Sequence, residues 1–366
     1  MTLDQIDSFA PMLKTAQMVN LGGRTSVGEP LHSPHFKEII TKIRDINPNI
    51  VIDMSTNAYL LDEECADFLI ANAPFSVTFS VHAATPESYV ATMGTNEKKF
   101  HTVMKNIEYF CQAARGKQVR ANINFGIGKL NYMDAVPMVK LAKRLGVNLI
   151  TAYLYYKSPN RFMDDVSLYT NVPLANMTLQ SVYDTAAKLG QAIDPPTPNF
   201  IKESAETIEP GEVTYKGGCH EPYTSFLMKS DPYREEKIGF CVCNRIMIGH
   251  ADMNDMTPDD LYWAWHHPVV NSLRLPNPHN IPPICKFCKD PNSGALRSLN
   301  HEEYKLRRDQ AVRETLAPFQ TEELKTSPSG AIKLLAENIF SIDANLDEDK
   351  ELIQITNRNV NKSEVV

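Results

Sequence analysis

The feature that most constrains the fold is a regular alternation of short apolar runs and amphipathic helical segments over residues 17–155. Five runs read as strands: 18–21, which we expect to be buried, then 50–52 continuing to Ser55-Thr56-Asn57, 77–81, 119–127 and 149–155. Strands that alternate with helices predict parallel strands joined by crossover helices, in an open sheet or part of a barrel. The predicted fold class is therefore α/β.

The segments between and around these strands show helical periodicity. The first residues predict a helix that Pro11 kinks or shortens. Ser33 as N-cap and Pro34 at the first helical position predict that the next helix begins there, with an apolar stripe from Phe36 to Ile46. Further helices are predicted at 133–145 and 179–193.

Polar residues follow several of the predicted strands. In parallel α/β folds, side chains at the carboxyl ends of strands form the site. The candidates are Gly28, Glu29, Thr56, Asn57, Ser80, His82, Asn124, Gly126, Tyr155 and Tyr156. Several also have a plain structural interpretation: Glu29 as part of a solvated turn, Ser80 bonded to its own backbone, and His82 as a structural histidine.

Five of the seven cysteines fall in the stretch 219–288: Cys219, Cys241, Cys243, Cys285 and Cys288. A CxxC pair places two thiolates on one metal centre, and distant cysteines complete a four-thiolate site. We expect Cys219, Cys285 and Cys288 to be ligands, with Cys241 or Cys243 as the fourth. Thiolates suit zinc or an iron–sulfur cluster. Disulfides or isolated buried thiols are the alternative, and Cys65 and Cys111 are predicted core thiols.

Composition excludes several classes of protein. The net charge of −7 argues against a general nucleic-acid binder, which needs a basic surface. No apolar run has the length of a membrane span, and Asp4 and Asp7 lie where a secretory signal would be basic. We therefore expect a cytoplasmic protein with reduced cysteines.

Proline marks the clearest boundary, at Asp194-Pro195-Pro196-Thr197-Pro198. We predict three regions: a (βα) unit at 1–195, a cysteine-rich metal domain at 196–292, and a helical extension with a polar tail at 293–366. Within the last region, helical patterns are predicted near 302–316 and 331–340.

The ordered set of motifs resembles the radical S-adenosylmethionine (radical SAM) superfamily. Gly28-Glu29-Pro30-Leu31 resembles its GGEPL segment, and Ser55-Thr56-Asn57 resembles its Thr-Asn-Gly strand end with Ala58 in place of glycine. Phe79-Ser80-Val81-His82 resembles its Ser-(Val/Leu)-Asp with His82 in place of the acid. The stretch 219–288 resembles the SPASM-type extension that carries an auxiliary iron–sulfur cluster, with matches at Cys219-His220-Glu221-Pro222-Tyr223, Cys241-Val242-Cys243, Ala264-Trp265-His266, Leu273-Arg274 and Cys285 through Cys288.

The resemblance implies a partial TIM-like (βα) barrel that lacks its first strand. It implies that Glu29 accepts a hydrogen bond from the amino group of SAM, that Gly28 and Pro30 shape the adjoining backbone, and that Thr56, Asn57 and Ser80 line the cofactor. It also implies a [4Fe–4S] auxiliary cluster on the cysteines, with zinc as the alternative. The alignment of Lys237-Ile238-Gly239-Phe240 favours Cys241 as the fourth ligand.

One departure concerns the CxxxCxxC loop that defines the family and that holds the SAM-cleaving cluster. The sequence contains no such motif. We expect a truncated relative, with a degenerate scaffold as the second interpretation. Intact relatives generate a 5′-deoxyadenosyl radical that abstracts hydrogen from a substrate, so the resemblance implies an enzyme that acts on a peptide or small metabolite and has an electron-donor protein as a partner. The rival hypothesis is a non-catalytic protein that binds zinc or one cluster and recognises a partner or peptide.

Overall fold

A six-stranded parallel sheet forms the centre of the molecule. The computed structural model describes residues 3–22, 28–154, 166–198, 200–201, 227–231, 234–241, 246–274, 310–311 and 313–334. The strands lie in chain order, each paired with the next. Their bounds are β1 Met18–Leu21, β2 Val51–Thr56, β3 Phe75–Ser80, β4 Val119–Ile127, β5 Leu149–Leu154 and β6 Ile193–Asp194. The predicted α/β class is confirmed.

Two short helices precede β1, α1 Leu3–Ser8 and α2 Ala10–Thr15. The helices that connect the strands as crossovers are α3 Phe36–Ile46, α4 Glu63–Ala71, α5 Pro86–Met93, α6 Glu97–Ala113, α7 Ala135–Leu145 and the helix Val172–Leu189. The first predicted helix is broken at Phe9, two residues before Pro11. Helix α3 begins at Phe36 and not after Ser33, because Pro30–His32 forms a separate 3-10 turn first. Among the described residues, no helix is long and apolar enough to cross a membrane.

The two faces of the sheet differ in chemistry. Met54, Val77 and Ala121 are in register on the face that the helices cover, and all three are buried. Phe79 on that face meets Phe110 of α6 edge to face, with ring centroids 5.6 Å apart. Burying such a side chain contributes about 1.5–3 kcal/mol. The opposite face carries registered polar rows, Ser55–Thr78–Asn122 and Ser80–Asn124–Thr151.

Two further local predictions for this half of the chain were wrong. Strand β1 is an edge strand and not buried, since Met18 is 56% exposed. The helix predicted at 179–193 begins at Val172 and ends at Leu189. Residues Ile193–Asp194 form instead a sixth strand, paired with Ile150 and Thr151 of β5. Two residues are too few to show strand periodicity, so only the pairing reveals β6.

A second sheet is antiparallel and has four strands in the order β10-β9-β8-β7. Its strands are β7 Leu227–Asp231, β8 Arg234–Cys241, β9 Ile246–Ala251 and β10 Ile332–Leu334, and helices at Pro258–His266 and Pro268–Arg274 follow β9. Ile332 pairs with Ala251. The prediction of a helix near 331–340 is therefore wrong for residues 332–334, which form a strand.

Arg44 of α3 ties this helix to the amino ends of two strands. Its guanidinium donates to the carbonyls of Pro48 and Ile50 before and at the start of β2. It also donates to the carbonyls of Asn72, at 2.8 Å, and Pro74, at 2.6 Å, just before β3. Carbonyl groups at this edge of the sheet thus receive charge-assisted hydrogen bonds from one guanidinium.

Candidate functional site

The segment that carries Glu29 lies beside the carboxyl end of β2. Gly28 has φ +122°, a conformation that side chains rarely adopt, and Pro30 starts the 3-10 turn Pro30–His32. Pro30 lies against Gly22, just past the end of β1: a Cβ on Gly22 would come within 2.3 Å of the Pro30 ring. A glycine is thus required at residue 22 for the segment to approach the sheet.

The Glu29 carboxylate accepts three hydrogen bonds from its surroundings. Oε1 accepts from the Thr56 hydroxyl at 2.7 Å and from the Leu31 N–H at 3.3 Å. Oε2 accepts from the Asn57 N–H at 2.8 Å. A carboxylate has about four acceptor positions, so in the described part of the chain one remains for a donor from outside. A fixed, half-buried carboxylate with a free acceptor suits an ammonium group.

The turn after β2 is itself fixed by hydrogen bonds. The Thr56 hydroxyl accepts from the Ala58 N–H at 3.0 Å, and Asn57 Oδ1 accepts from the Tyr59 N–H at 2.9 Å. Ala58 adopts φ +60°, the left-handed conformation in which glycine is favoured, and Asn106 of α6 donates to its carbonyl at 2.9 Å. Alanine thus stands at a position of this turn whose backbone conformation favours glycine.

Ser80 and His82 lie at the same edge of the sheet, at and after the end of β3. Ser80 pairs with Asn124 of β4, and no side-chain contact to Glu29 is described for it. His82 Nδ1 accepts from the Gly126 N–H at 3.0 Å, and burial lowers the pKa of His82 to about 4. The ring is therefore neutral near pH 7, with its proton on Nε2.

Two residues that sequence reasoning missed hold this edge together. Asn131, 1% exposed, donates to the carbonyls of His82 and Gly126 at 2.6 and 2.7 Å. Asp134, also buried, accepts from the Ala84 N–H at 2.7 Å. Both follow β4 and bond to the loop after β3, so they fix the position of that loop. The only sequence signal was two short polar side chains in a loop after a strand.

The structure thus brings Glu29, Thr56 and Asn57 into one hydrogen-bonded unit, flanked by Gly28 and Pro30. Of the predicted metal ligands, Cys241 ends β8, where its backbone pairs with Ile246. Cys219, Cys243, Cys285 and Cys288 lie outside the described residues, as do the predicted site candidates Tyr155 and Tyr156. Within the described residues, no group of three or more His, Cys, Asp or Glu side chains could hold a metal ion.

Two thiols are described, and both are free. Cys111 is buried and Cys65 is half-buried. Burial raises the pKa of the Cys65 thiol to about 11 and that of Cys111 to about 12. Both are therefore protonated near neutral pH and poor metal ligands or nucleophiles.

Two solved structures similar to this chain are as follows. SuiB of Streptococcus suis, bound to S-adenosylmethionine, is 15% identical with a TM-score of 0.47, over 80% of this chain and 60% of SuiB. The protein anSMEcpe, with bound AdoMet and the Kp18Cys peptide, is 16% identical with a TM-score of 0.48, over 85% of this chain and 88% of its own. The chain thus spans about 60% of the length of SuiB.

Comparison with curated proteins gives no match. Comparison with protein-family models matches residues 24–142 to the radical SAM superfamily. The matched region contains the Glu29 segment, the turn after β2 and strands β2 to β4. The likeness to the radical SAM superfamily thus covers the part of the sheet that holds the candidate site.

Proposed function

We propose that this chain binds SAM at the carboxyl edge of the parallel sheet, with Glu29 accepting a hydrogen bond from the amino group of SAM. The observation that carries the proposal is the Glu29 carboxylate, which three donors of the chain hold in place while one acceptor position stays available. Gly28 and Pro30 would shape the backbone around the methionine part of SAM. Ser80, at the same edge, would bond its ribose.

The activity that the family resemblance implies is hydrogen abstraction from a peptide or a small metabolite, with SAM and a SAM-cleaving iron–sulfur cluster supplying the one-electron chemistry when bound. Since this sequence contains no CxxxCxxC motif, we expect no SAM cleavage by these residues alone. The polar face of the sheet supports a polar substrate, because it lines the same edge with hydroxyl and amide side chains such as Ser80 and Asn124. Reducing a cluster requires an external electron, so an electron-donor protein is part of the proposal.

The test of SAM binding is Glu29→Gln, which keeps the shape of the side chain and removes its charge. We expect SAM to bind the variant roughly 10- to 100-fold more weakly, since a hydrogen bond between charged groups contributes about 1.5–3 kcal/mol. Isothermal titration calorimetry measures the change. The matched control is Glu38→Gln on α3, an exposed residue with the same loss of charge, which should bind SAM like the wild type. Equal affinity of both variants and the wild type would refute the assignment of Glu29.

We further propose a [4Fe–4S] auxiliary cluster on Cys219, Cys285 and Cys288 with Cys241 or Cys243. Anaerobic purification should yield about four iron and four sulfide per chain. The double variant Cys285→Ser/Cys288→Ser should lose them, while Cys65→Ser, which removes a free half-buried thiol, should keep them.

The second candidate is a non-catalytic protein in which zinc on the same cysteines stabilises a domain that binds a partner or peptide. The cysteine spacing favours it equally, because four thiolates also form structural zinc sites. Stoichiometric zinc without sulfide in the purified protein would favour this second candidate and contradict the auxiliary cluster.

A further inference from the structure

Thr56 belongs to the residues that the family resemblance places against the cofactor, yet its hydroxyl is buried and has no proton left to donate to a ligand. Thr56 is 2% exposed. Its single proton is donated to Glu29 Oε1 at 2.7 Å, and its oxygen accepts from the Ala58 N–H at 3.0 Å. A hydroxyl has one proton to donate, so Thr56 cannot donate to SAM while it bonds to Glu29.

We propose that Thr56 is a positioning residue, which sets the orientation of the Glu29 carboxylate toward the amino group of a bound aminoacyl ligand such as SAM. This inference rests on the proposed function and deepens it. The Thr56 hydroxyl and the Asn57 N–H hold one carboxylate oxygen each, at 2.7 and 2.8 Å. Together they fix the plane of the carboxylate, and so the direction of its remaining acceptor position.

The turn after β2 takes part in the same link. Ala58 occupies a left-handed conformation in this turn, with φ +60°, at some cost in backbone strain for a residue with a side chain. The Ala58 N–H donates to the Thr56 hydroxyl, and the hydroxyl donates its own proton to Glu29. The turn, the hydroxyl and the carboxylate therefore form one chain of hydrogen bonds.

The experiment compares Thr56→Val, which keeps the shape without the hydroxyl, with Thr56→Ser, which keeps the hydroxyl. Two thioether ligands serve as probes: S-adenosylhomocysteine carries the amino group and 5′-methylthioadenosine lacks it. We expect Thr56→Val to weaken S-adenosylhomocysteine binding roughly 3- to 10-fold and to change 5′-methylthioadenosine binding less than about twofold. Thr56→Ser should restore wild-type affinity. Calorimetry is done at a temperature where thermal melts show every variant folded.

A double-mutant cycle on SAM itself gives a second, independent readout. If Thr56 acts through Glu29, then Thr56→Val should add no further loss of affinity to Glu29→Gln. Two results would overturn the inference and assign Thr56 a purely structural role. One is that Thr56→Val weakens SAM binding by the same factor in the wild type and in Glu29→Gln. The other is that it weakens the binding of both thioether probes equally. A wild-type chain that binds neither SAM nor S-adenosylhomocysteine would overturn the proposed function as well, so the two failures are distinguishable.

Discussion

Asp260→Ala should destabilise the protein by about 3–5 kcal/mol, the largest effect expected from any single change considered. Asp260 is fully buried at the first turn of the helix Pro258–His266. Its carboxylate accepts from the N–H and the hydroxyl of Thr257 at 2.8 and 2.6 Å. It also accepts from the N–H and the hydroxyl of Ser329 at 3.0 and 2.7 Å. Alanine would leave buried donors unpaired and break the link between the helix and the β10 region.

The pKa of Asp260 agrees with this description. Burial alone would raise it, but hydrogen bonds from Ser327, Thr257 and Ser329 outweigh burial and lower the pKa below its ordinary value of 3.8. The folded state therefore favours the ionised carboxylate, and its contribution to stability is present above about pH 4 and is lost as the pH falls further.

Asp259→Ala is the matched control for Asp260→Ala, because Asp259 is the preceding residue, carries the same charge in the same helical turn and is exposed. Replacing Asp259 by alanine should lower the free energy of unfolding by less than about 1 kcal/mol, the usual size of a charge–helix dipole interaction. Urea unfolding followed by circular dichroism measures both variants. A similar free energy of unfolding for the two would contradict the proposed importance of the buried carboxylate.

The second large effect concerns the pH dependence contributed by His82. Its pKa is about 4 when folded because the ring is buried, against 6.5 for an ordinary histidine. Between these values the unfolded chain binds a proton that the folded chain does not, so stability falls as the pH falls. The difference corresponds to about 3 kcal/mol, lost progressively from pH 6.5 to pH 4.

His82→Asn isolates this contribution. The Asn carbonyl can accept the Gly126 N–H as Nδ1 does, and the side chain does not titrate. The free energy of unfolding should fall less steeply for the variant than for the wild type between pH 6.5 and pH 4. Parallel pH profiles for the two proteins would show that His82 is solvated and charged in the folded state.

The parallel sheet was predictable because each of its first five strands carries its own local pattern. The position of the candidate site followed from the same pattern, since the carboxyl ends of neighbouring parallel strands meet, and Glu29, Thr56 and Asn57 do lie together there. The distribution of hydrogen bonds was not predictable. Whether a threonine hydroxyl faces a ligand or a carboxylate depends on distances of a few tenths of an ångström that composition and spacing do not encode.

Strand β10 shows the other limit. The apolar residues after Ala331 fit a helical period, and the strand exists only because Ile332–Leu334 pairs with a strand about eighty residues earlier in the chain. Tertiary pairing overrides local preference in such short segments. One partner of Asp260 could not be predicted for the same reason. Thr257 is recognisable from the sequence as an N-cap three residues before Asp260, but Ser329 lies 69 residues after it in the chain.

The bonds of Arg44 and Glu29 have a consequence for how the length of β2 can vary. Arg44 donates to the carbonyl of Ile50 just before β2, and Glu29 accepts from Thr56 and Asn57 where β2 ends. Strand β2 is thus fixed at its two termini by side chains of opposite charge. An insertion or deletion of one residue inside β2 would put these anchors out of step, so relatives that keep both should differ in length at the loops outside them and never within this strand.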